Sequence, residues 1–196
     1  SEIFDFTREQ LTVDSSDFYA LSLSGHFAVS VTSRIDIAVD VAHSKSETKS
    51  EFRDWVDLDD LPIEQFTEFE RTPLVLGVKA YLKERGRSIG RFAWIPEDWA
   101  PFVGLGGGWV FYRFEQDGDF VDFETFDIFV DRFTSEGSTP TIHVYGGADW
   151  SLGPTVSLTA EGRYSWAKVD MSGDFVDFDP MDLSGFQATA GVSIRF

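Results

Sequence analysis

The sequence contains no cysteine among its 196 residues. Disulfide bonds, thiolate metal sites and cysteine nucleophiles are therefore excluded. Long hydrophobic runs are also missing, because the longest nearly apolar stretch, residues 101–112, is far shorter than the roughly 20 residues that a membrane-spanning helix needs. The chain opens at Ser1 without the basic start and apolar stretch of a secretory leader. If the protein is exported, we expect Ser1 to lie at or beyond the processed end.

Basic residues are scarce. Lys and Arg number 16 against 34 Asp and Glu, which gives a formal net charge of −18. Such a balance repels phosphates and argues against a nucleic-acid partner. Aromatic residues, however, make up 16% of the chain. Acidic disordered chains are poor in aromatic residues, so the composition indicates a folded protein.

Apolar and polar residues alternate with a period of two along much of the chain. The clearest case is residues 155–168, where Val156, Leu158, Ala160, Gly162, Tyr164 and Trp166 fall on one face. The opposite face carries Thr155, Ser157, Thr159, Glu161, Arg163 and Ser165. Alternation over more than ten residues predicts a long β-strand with one apolar and one polar face.

Five further segments follow the same pattern, at about residues 18–31, 34–42, 74–82, 141–151 and 184–196. A seventh strand is predicted at residues 102–114, which are apolar or Gly on both faces, and we expect Val103, Leu105, Trp109 and Phe111 to face outward. Closed bacterial membrane barrels have an even number of strands. We therefore expect an eighth strand at residues 3–13, where Phe4 and Phe6 fit an apolar face but Arg8 and Gln10 interrupt it. A bulge or a short strand would explain the interruption.

The connections between strands alternate in length. Residues 32–34 and 152–154 form tight turns, whereas the segments at about 44–71, 116–139 and 171–182 are long and acidic. Short periplasmic turns opposite long external loops are typical of outer-membrane barrels. The pattern predicts a single all-β domain over residues 1–196. We expect an eight-stranded antiparallel up-and-down transmembrane β-barrel with both chain ends on the periplasmic side.

A soluble barrel of the lipocalin type would show the same alternation, with the apolar face turned inward. Three features favour the membrane barrel. The polar faces are rich in Ser, Thr and Gly, the acidic charge lies in the loops, and aromatic residues cluster at the predicted strand ends. These residues are Tyr164 and Trp166 at one rim and Trp99, Trp150 and Phe196 at the other. We therefore expect Leu21, Leu23, Ile37, Val39, Leu158 and Ile194 to face lipid, and Asp36, Asp40, Glu161 and Arg163 to face the interior.

Two segments resemble a known family. The ending Ala-Thr-Ala-Gly-Val-Ser-Ile-Arg-Phe at residues 188–196 resembles the terminal strand of bacterial outer-membrane proteins. The segment Ala-Pro-Phe-Val-Gly-Leu-Gly-Gly-Gly at residues 100–108 is similar to the fifth strand of small barrels of the OmpA/OmpX type, the porin-family β-barrel domain. The resemblance implies an outer-membrane location, contact with lipid and lipopolysaccharide, and recognition of Phe196 by the barrel assembly machinery. We expect this protein, unlike OmpA-type proteins, to have no peptidoglycan-binding domain after the barrel.

An acidic motif occurs twice. Gly-Asp-Phe-Val-Asp-Phe at residues 118–123 returns at residues 173–178. Carboxylates there could bind Ca²⁺ or Mg²⁺, which prefer several oxygen ligands. The candidate ligands are Asp119, Asp122, Asp174 and Asp177. A solvated acidic rim without a bound ion is the alternative, and we expect no other cofactor.

The sequence predicts a non-enzymatic envelope protein whose loops stabilise the surface or bind a partner, such as another surface protein. A second hypothesis is a lipid-modifying enzyme similar to the lipid A deacylases, which would need His43 to meet a serine and an acid at the outer rim. A third is a narrow channel for small molecules. We expect instead that the interior charges pair and plug the barrel.

Overall fold

The structure, a computed structural model, describes residues 2–12, 19–57, 59–89, 93–122, 125 and 127–196. Among them are an α-helix, α1 (Glu2–Gln10), and a 3-10 helix (Gly173–Phe175). The strands are β1 (Ser22–Ser30), β2 (Ile35–Val56), β3 (Pro62–Tyr81), β4 (Gly86–Ile89), β5 (Ala93–Pro96), β6 (Trp99–Val121), β7 (Ile128–Ser151), β8 (Val156–Trp166), β9 (Lys168–Val169), β10 (Met181–Asp182) and β11 (Gly185–Ile194). No helix in the described part of the chain is long and apolar enough to cross a membrane.

Seven strands form one antiparallel sheet in the order β1-β2-β3-β6-β7-β8-β11. The all-β prediction is confirmed, and each segment with clear alternation is a strand of this sheet. The short hairpins β4–β5 and β9–β10 belong to its connections. We call the end with the β1–β2 and β7–β8 turns the lower end. The upper end is the one where β2 is followed by β3 and β6 by β7.

The eighth strand predicted at residues 3–13 is wrong. Glu2–Gln10 is helical, and Val13 lies outside the described residues, as does the short connection expected at residues 13–17. The segment after α1 forms an isolated bridge between Leu11 and Phe52, and Thr12 exchanges hydrogen bonds with the Glu51 backbone. Leu11 is buried there against Phe52, Ile63 and Val121 at the upper end. Packing of this side chain and these few hydrogen bonds, rather than a strand ladder, hold the N-terminal segment.

The two ends of the chain lie at opposite ends of the sheet. Leu11 contacts the upper part of β2, whereas the Arg195 amide donates to the Thr155 carbonyl at the lower end. Leu11 and Arg195 therefore lie at opposite ends of the sheet, and the periplasmic location of both chain ends stays a prediction.

The sheet is strongly curled, but it is not a closed barrel. Within the described residues no backbone pairing joins the edge strands β1 and β11. Side chains nevertheless meet across its concave face, because Arg163 Nη2 of β8 lies 3.4 Å from Asp40 Oδ2 of β2. At the edges, Gln187 Nε2 donates to Ser22 Oγ over 3.5 Å. Strands on opposite sides of the sheet therefore enclose an interior.

Four strands are much longer than a membrane crossing requires. β2, β3, β6 and β7 contain 22, 20, 23 and 24 residues, against about 9–11 residues for a typical transmembrane strand. Most of the segments predicted as loops at 44–71 and 116–139 are the upper parts of these strands. The register Ser44–Arg71–Tyr112–Gly137 crosses all four strands. We call these four residues the boundary row, and the parts of the sheet above and below it the upper and lower halves.

The connection between β8 and β11 folds onto the inner surface of the upper half. Its apolar residues Met171, Phe175, Met181 and Leu183 are buried against β3, β6 and β7. Phe175 meets the ring of Phe114 edge-on, with centroids 5.3 Å apart. The Arg71 guanidinium of the boundary row donates to the Leu183 carbonyl. We call residues 167–184 the cap, because they fill the upper interior.

We expect Phe175→Ala to lower the free energy of unfolding by about 3 kcal/mol, the lower range for removing a buried phenylalanine side chain. Val176→Ala is the matched control, because Val176 is 65% exposed on the same segment and should change stability by less than about 0.5 kcal/mol. Denaturant unfolding checks both. Equal effects of the two substitutions would show that the cap is not packed as described.

Candidate functional site

The outer surface of the lower half is apolar. On β3, Leu74, Leu76 and Val78 are exposed, while Val75 and Lys79 are buried. The same alternation holds in β2, β6, β7 and β8, whereas every residue of β1 is exposed. The exposed apolar residues of the sheet include Leu23, Phe27, Val29, Ile37, Val39, Val41, Val103, Leu105, Ile142, Val144, Leu158, Val192 and Ile194. We call this surface the apolar belt. The predicted outward and inward faces are confirmed for the described strands of the sheet other than β1.

Exposed aromatic residues mark both margins of the apolar belt. Trp99 and Trp150 face each other across β6 and β7 at the lower margin. Trp109, Phe111, Tyr164, Trp166 and Phe186 lie exposed near the upper margin. Trp99 and Trp109 are separated by about 33 Å of strand, which corresponds to about 25 Å perpendicular to a membrane at a typical tilt of about 40°. That height equals the apolar band of a membrane β-barrel.

Above the boundary row the outer surface becomes charged. Lys45 Nζ lies 2.6 Å from Glu68 Oε2, and Lys49 Nζ lies 2.7 Å from Glu64 Oε2. The hydrogen bond to Glu68 raises the pKa of Lys45. These pairs are exposed and cross from β2 to β3, so each contributes little to stability. Their effect is to make the upper surface compatible with water.

Inside the lower half, the charges form ion pairs and hydrogen bonds. Lys79 Nζ donates to Asp149 Oδ2 over 3.1 Å, and the Tyr81 hydroxyl donates to the same oxygen over 2.8 Å. Thr159 Oγ1 donates to the other carboxylate oxygen over 2.7 Å. Lys79 also lies 3.6 Å from the centroid of the Phe102 ring. A buried lysine is tolerated here because both its charge and its donors have partners.

A second interior network joins strands that are not neighbours. Arg163 Nη2 lies 2.9 Å from Glu161 Oε1 and 3.4 Å from Asp40 Oδ2. His26 Nδ1 lies 2.6 Å from the other oxygen of Asp40. The network spans β1, β2 and β8. It therefore connects both sides of the enclosed interior, as expected for a salt-bridged plug.

Glycines on the inner face of β6 make room for the large side chains of β7. A Cβ atom added at Gly104 would lie 2.2 Å from Cζ of Tyr145. At Gly106 it would lie 2.8 Å from Nε2 of His143 and 2.5 Å from the Leu76 carbonyl. The glycine-rich run at residues 104–108 thus has a steric reason. Because this run contains no polar residue, the sequence alone does not indicate which of its residues face inward.

The four candidate metal ligands have separate surroundings. Asp174 accepts a hydrogen bond from the Thr134 amide over 2.9 Å, and Asp122 accepts one from the Thr125 amide over 3.2 Å. The Asp119 carbonyl accepts from Gln65, and Asp177 lies just after the 3-10 helix. In the part of the chain that the structure describes, no group of three or more His, Asp or Glu could hold a metal ion. The calcium site stays a prediction without geometric support.

The candidate deacylase residue His43 lies on the outward face of β2, at the top of the apolar belt. Its Nδ1 atom is 2.9 Å from Thr72 Oγ1 of β3. The nearby Ser46 hydroxyl points to the opposite face and donates to the Phe69 carbonyl. No serine–histidine–acid arrangement therefore forms around His43 among the described residues.

Sequence reasoning missed the cap and α1. The signal for the cap was four apolar residues, Met171, Phe175, Met181 and Leu183, in an otherwise acidic loop. Their burial required a partner surface, and the inward residues of the lengthened strands provide it. That surface could not be anticipated while residues 44–71 and 116–139 were interpreted as loops.

The chain matches no protein-family model, no curated protein and no solved structure.

Removing the carboxylate of Asp149 should leave Lys79 charged and unpaired in the interior. We expect Asp149→Ala to lower the free energy of unfolding by about 3–5 kcal/mol, the usual cost of breaking a buried ion pair from one side. Adding Lys79→Met to that variant should recover most of the loss. Glu84→Ala, at an exposed position of the lower end, is the control. If the double variant is no more stable than Asp149→Ala, the pairing assignment is incorrect.

Proposed function

We propose that this protein is an integral outer-membrane β-barrel protein, and that it displays a rigid, acidic β-structure above the membrane for envelope stabilisation or surface binding. One observation carries the proposal. The location of the charged side chains reverses along the same continuous strands. Below the boundary row the outside is apolar and the inside holds buried charges, whereas above it the outside is charged and the buried residues of the described strands are uncharged, either apolar or Ser, Thr and Gln.

A protein in water has no physical reason for this reversal. Soluble monomers rarely expose contiguous apolar patches larger than a few hundred Å², and the apolar belt extends across all seven strands. A bilayer accounts for it, because the surface facing hydrocarbon must be apolar and the surface above the headgroups must be hydrated. The aromatic residues at both belt margins support the same orientation. The C-terminal resemblance favours the outer membrane.

A bilayer also requires that the edges of the sheet be paired, since unsatisfied backbone groups are costly in hydrocarbon. Seven antiparallel strands leave β1 and β11 running in the same direction. One additional strand, antiparallel to both, would complete the circle and restore an even count. The proposed membrane form therefore requires a pairing partner for the β1 and β11 edges, which the described strands do not supply.

The surface role belongs to the upper half. Its strands continue the membrane-spanning strands without interruption, and the cap and α1 fill its interior. A filled, hydrogen-bonded extension is stiffer than a loop of the same length, so it presents its carboxylates in fixed positions. Divalent cations or a basic protein surface are the partners that suit this charge.

Depth-dependent sensitivity to charge tests the membrane location. Val78 is exposed near the middle of the belt, whereas Leu158 pairs with Trp150 at its lower margin. In lipid vesicles, Val78→Arg should cost about 2–4 kcal/mol of folding free energy, and Leu158→Arg about 0–1 kcal/mol. The smaller cost expected for Leu158 follows from its pairing with Trp150, away from the middle of the apolar belt.

A protein whose belt faces water would tolerate both substitutions within about 0.5 kcal/mol. Glu47→Arg, on the outward face of β2 above the boundary row, is the matched control and should have little effect. Denaturant titrations in vesicles and heat-modifiable gel mobility measure the outcome. Equal tolerance of Val78→Arg and Glu47→Arg would refute the membrane proposal.

The interior should not conduct ions at the level of a porin. The cap fills the upper interior, and paired charges and aromatic rings occupy the lower interior. We expect planar bilayers containing the purified protein to show no large, steady, ohmic openings, with protein-free bilayers as the baseline. Such openings would instead favour the channel alternative.

A further inference from the structure

A cavity of about 560 Å³ opens at the lower end of the sheet. It lies between the β1–β2 turn, the start of the β4–β5 hairpin and the residue that follows β11. Its volume is within the range of about 300–1,000 Å³ that is usual for small-molecule sites. Neither the plugged interior nor the acidic upper half accounts for it.

The cavity is lined by three arginines, Arg85, Arg87 and Arg195, and by one acidic residue, Glu84. This is the reverse of the chain as a whole, in which acidic residues outnumber basic ones by 34 to 16. Glu84 lies 3.9 Å from Arg34 and is well exposed. The cavity is therefore a local concentration of positive charge in a strongly negative protein.

Arg85 is held in place before any ligand arrives. Its Nη1 atom donates to Asp36 Oδ2 over 2.9 Å, and Nη2 donates to Ser30 Oγ over 2.9 Å. The guanidinium carbon lies 4.6 Å from the centroid of the Tyr81 ring. Asp36 neutralises its charge, so the binding capacity of the cavity depends on the other two arginines.

Arg87 and Arg195 have no such partner, since neither lies within 4.0 Å of a carboxylate in the described ranges. Arg195 stacks on Trp94, with its guanidinium carbon 4.0 Å from the ring centroid. Burial, and then the neighbouring Arg85 charge, lower the pKa of Arg195. An anion in the cavity would relieve this unfavourable environment.

We propose that this cavity binds a phosphate-bearing anion through the guanidinium groups of Arg87 and Arg195, beside the fixed Arg85. Guanidinium groups bind phosphate oxygens in pairs of parallel hydrogen bonds. Two such groups at one cavity can bind different oxygens of one tetrahedral anion, which suits a phosphate better than a planar carboxylate. The phosphate could belong to a soluble compound or to an anionic lipid headgroup, because the tryptophan margin of the belt lies at the same end.

Calorimetric titration with inorganic pyrophosphate, on the full chain in neutral detergent, tests the site. We expect saturable binding by the parent protein, and at least a tenfold loss of affinity in Arg195→Gln and in Arg87→Gln. Arg132→Gln is the matched control, because it makes the same charge change on the upper half, and it should bind within twofold of the parent. Arg195→Lys keeps the positive charge but not the paired hydrogen-bond donors of the guanidinium group. Its affinity for pyrophosphate should therefore lie between those of the parent and Arg195→Gln.

Absence of saturable binding by the parent, or equal losses in Arg195→Gln and Arg132→Gln, would overturn the proposal. Circular dichroism of each variant shows whether it is folded. If Arg195→Gln does not fold, Arg87→Gln provides an independent test. Because the titration is done in detergent, its failure is distinguishable from failure of the membrane proposal.

A second arm identifies the source of the phosphate. The parent and Arg132→Gln, which both keep the cavity, are titrated with pyrophosphate in neutral detergent with and without a short-chain phosphatidylglycerol. If a lipid headgroup fills the cavity, phosphatidylglycerol should compete with pyrophosphate and weaken its binding by both proteins at least tenfold. If the ligand is soluble, the pyrophosphate affinity of both proteins should change by less than twofold.

Discussion

Lys79 and Asp149 face each other from strands separated by β6, and Arg163 reaches Asp40 on the opposite side of the curled sheet. These contacts make the concave face the site of charge pairing. Once that face is fixed, the period of two along each strand sends the alternate residues outward. Those residues are Leu74, Leu76 and Val78 on β3 and their counterparts on the neighbouring strands. The apolar belt is therefore the geometric consequence of an interior that pairs its charges.

The same period produces the opposite result above the boundary row. There the inward residues of β3 and β6, such as Phe69 and Phe114, meet the apolar side of the cap, and the outward residues carry charge. The register continues through the boundary row, so no strand has to break or shift in order to change polarity. Arg71 lies at the change itself. Its guanidinium lies over the Phe69 ring and donates to the cap at Leu183, so this boundary residue holds the end of the cap against β3.

The strands that could be predicted from the sequence are those in which alternate residues differ clearly in hydropathy. Val156 to Trp166 differ from their neighbours in hydropathy at nearly every step, so strand, face and partner followed directly. On the upper part of β2, Lys45 and Glu47 alternate with Ser46 and Thr48, and both faces are polar. The strand continues there because β3 supplies a register partner for each residue, and such long-range pairing leaves no local signal.

The strand predicted for the N-terminal segment was wrong for a related reason. Two apolar positions out of four fit a strand face, which is too little contrast to outweigh tertiary packing. Burial of Leu11 against Phe52 and Ile63 decides its position instead. The grouping of the arginines around the lower cavity could not be predicted from the sequence either. Arg85 and Arg195 are far apart in sequence, and only the curl of the sheet brings the β3–β4 connection to the end of β11.

The odd number of strands sets a further condition on the molecule. Both edges run from the upper to the lower end, so a strand that pairs with both must run from the lower end to the upper end. At the level of Ser22, where β1 begins, Gln187 of β11 bridges to β1. One hydrogen bond of 3.5 Å is a weak substitute for a backbone ladder. In water the exposed edge groups are hydrated, but in hydrocarbon they are not. The unpaired β1 and β11 edges are therefore compatible with water, whereas a bilayer would require their backbone groups to be paired.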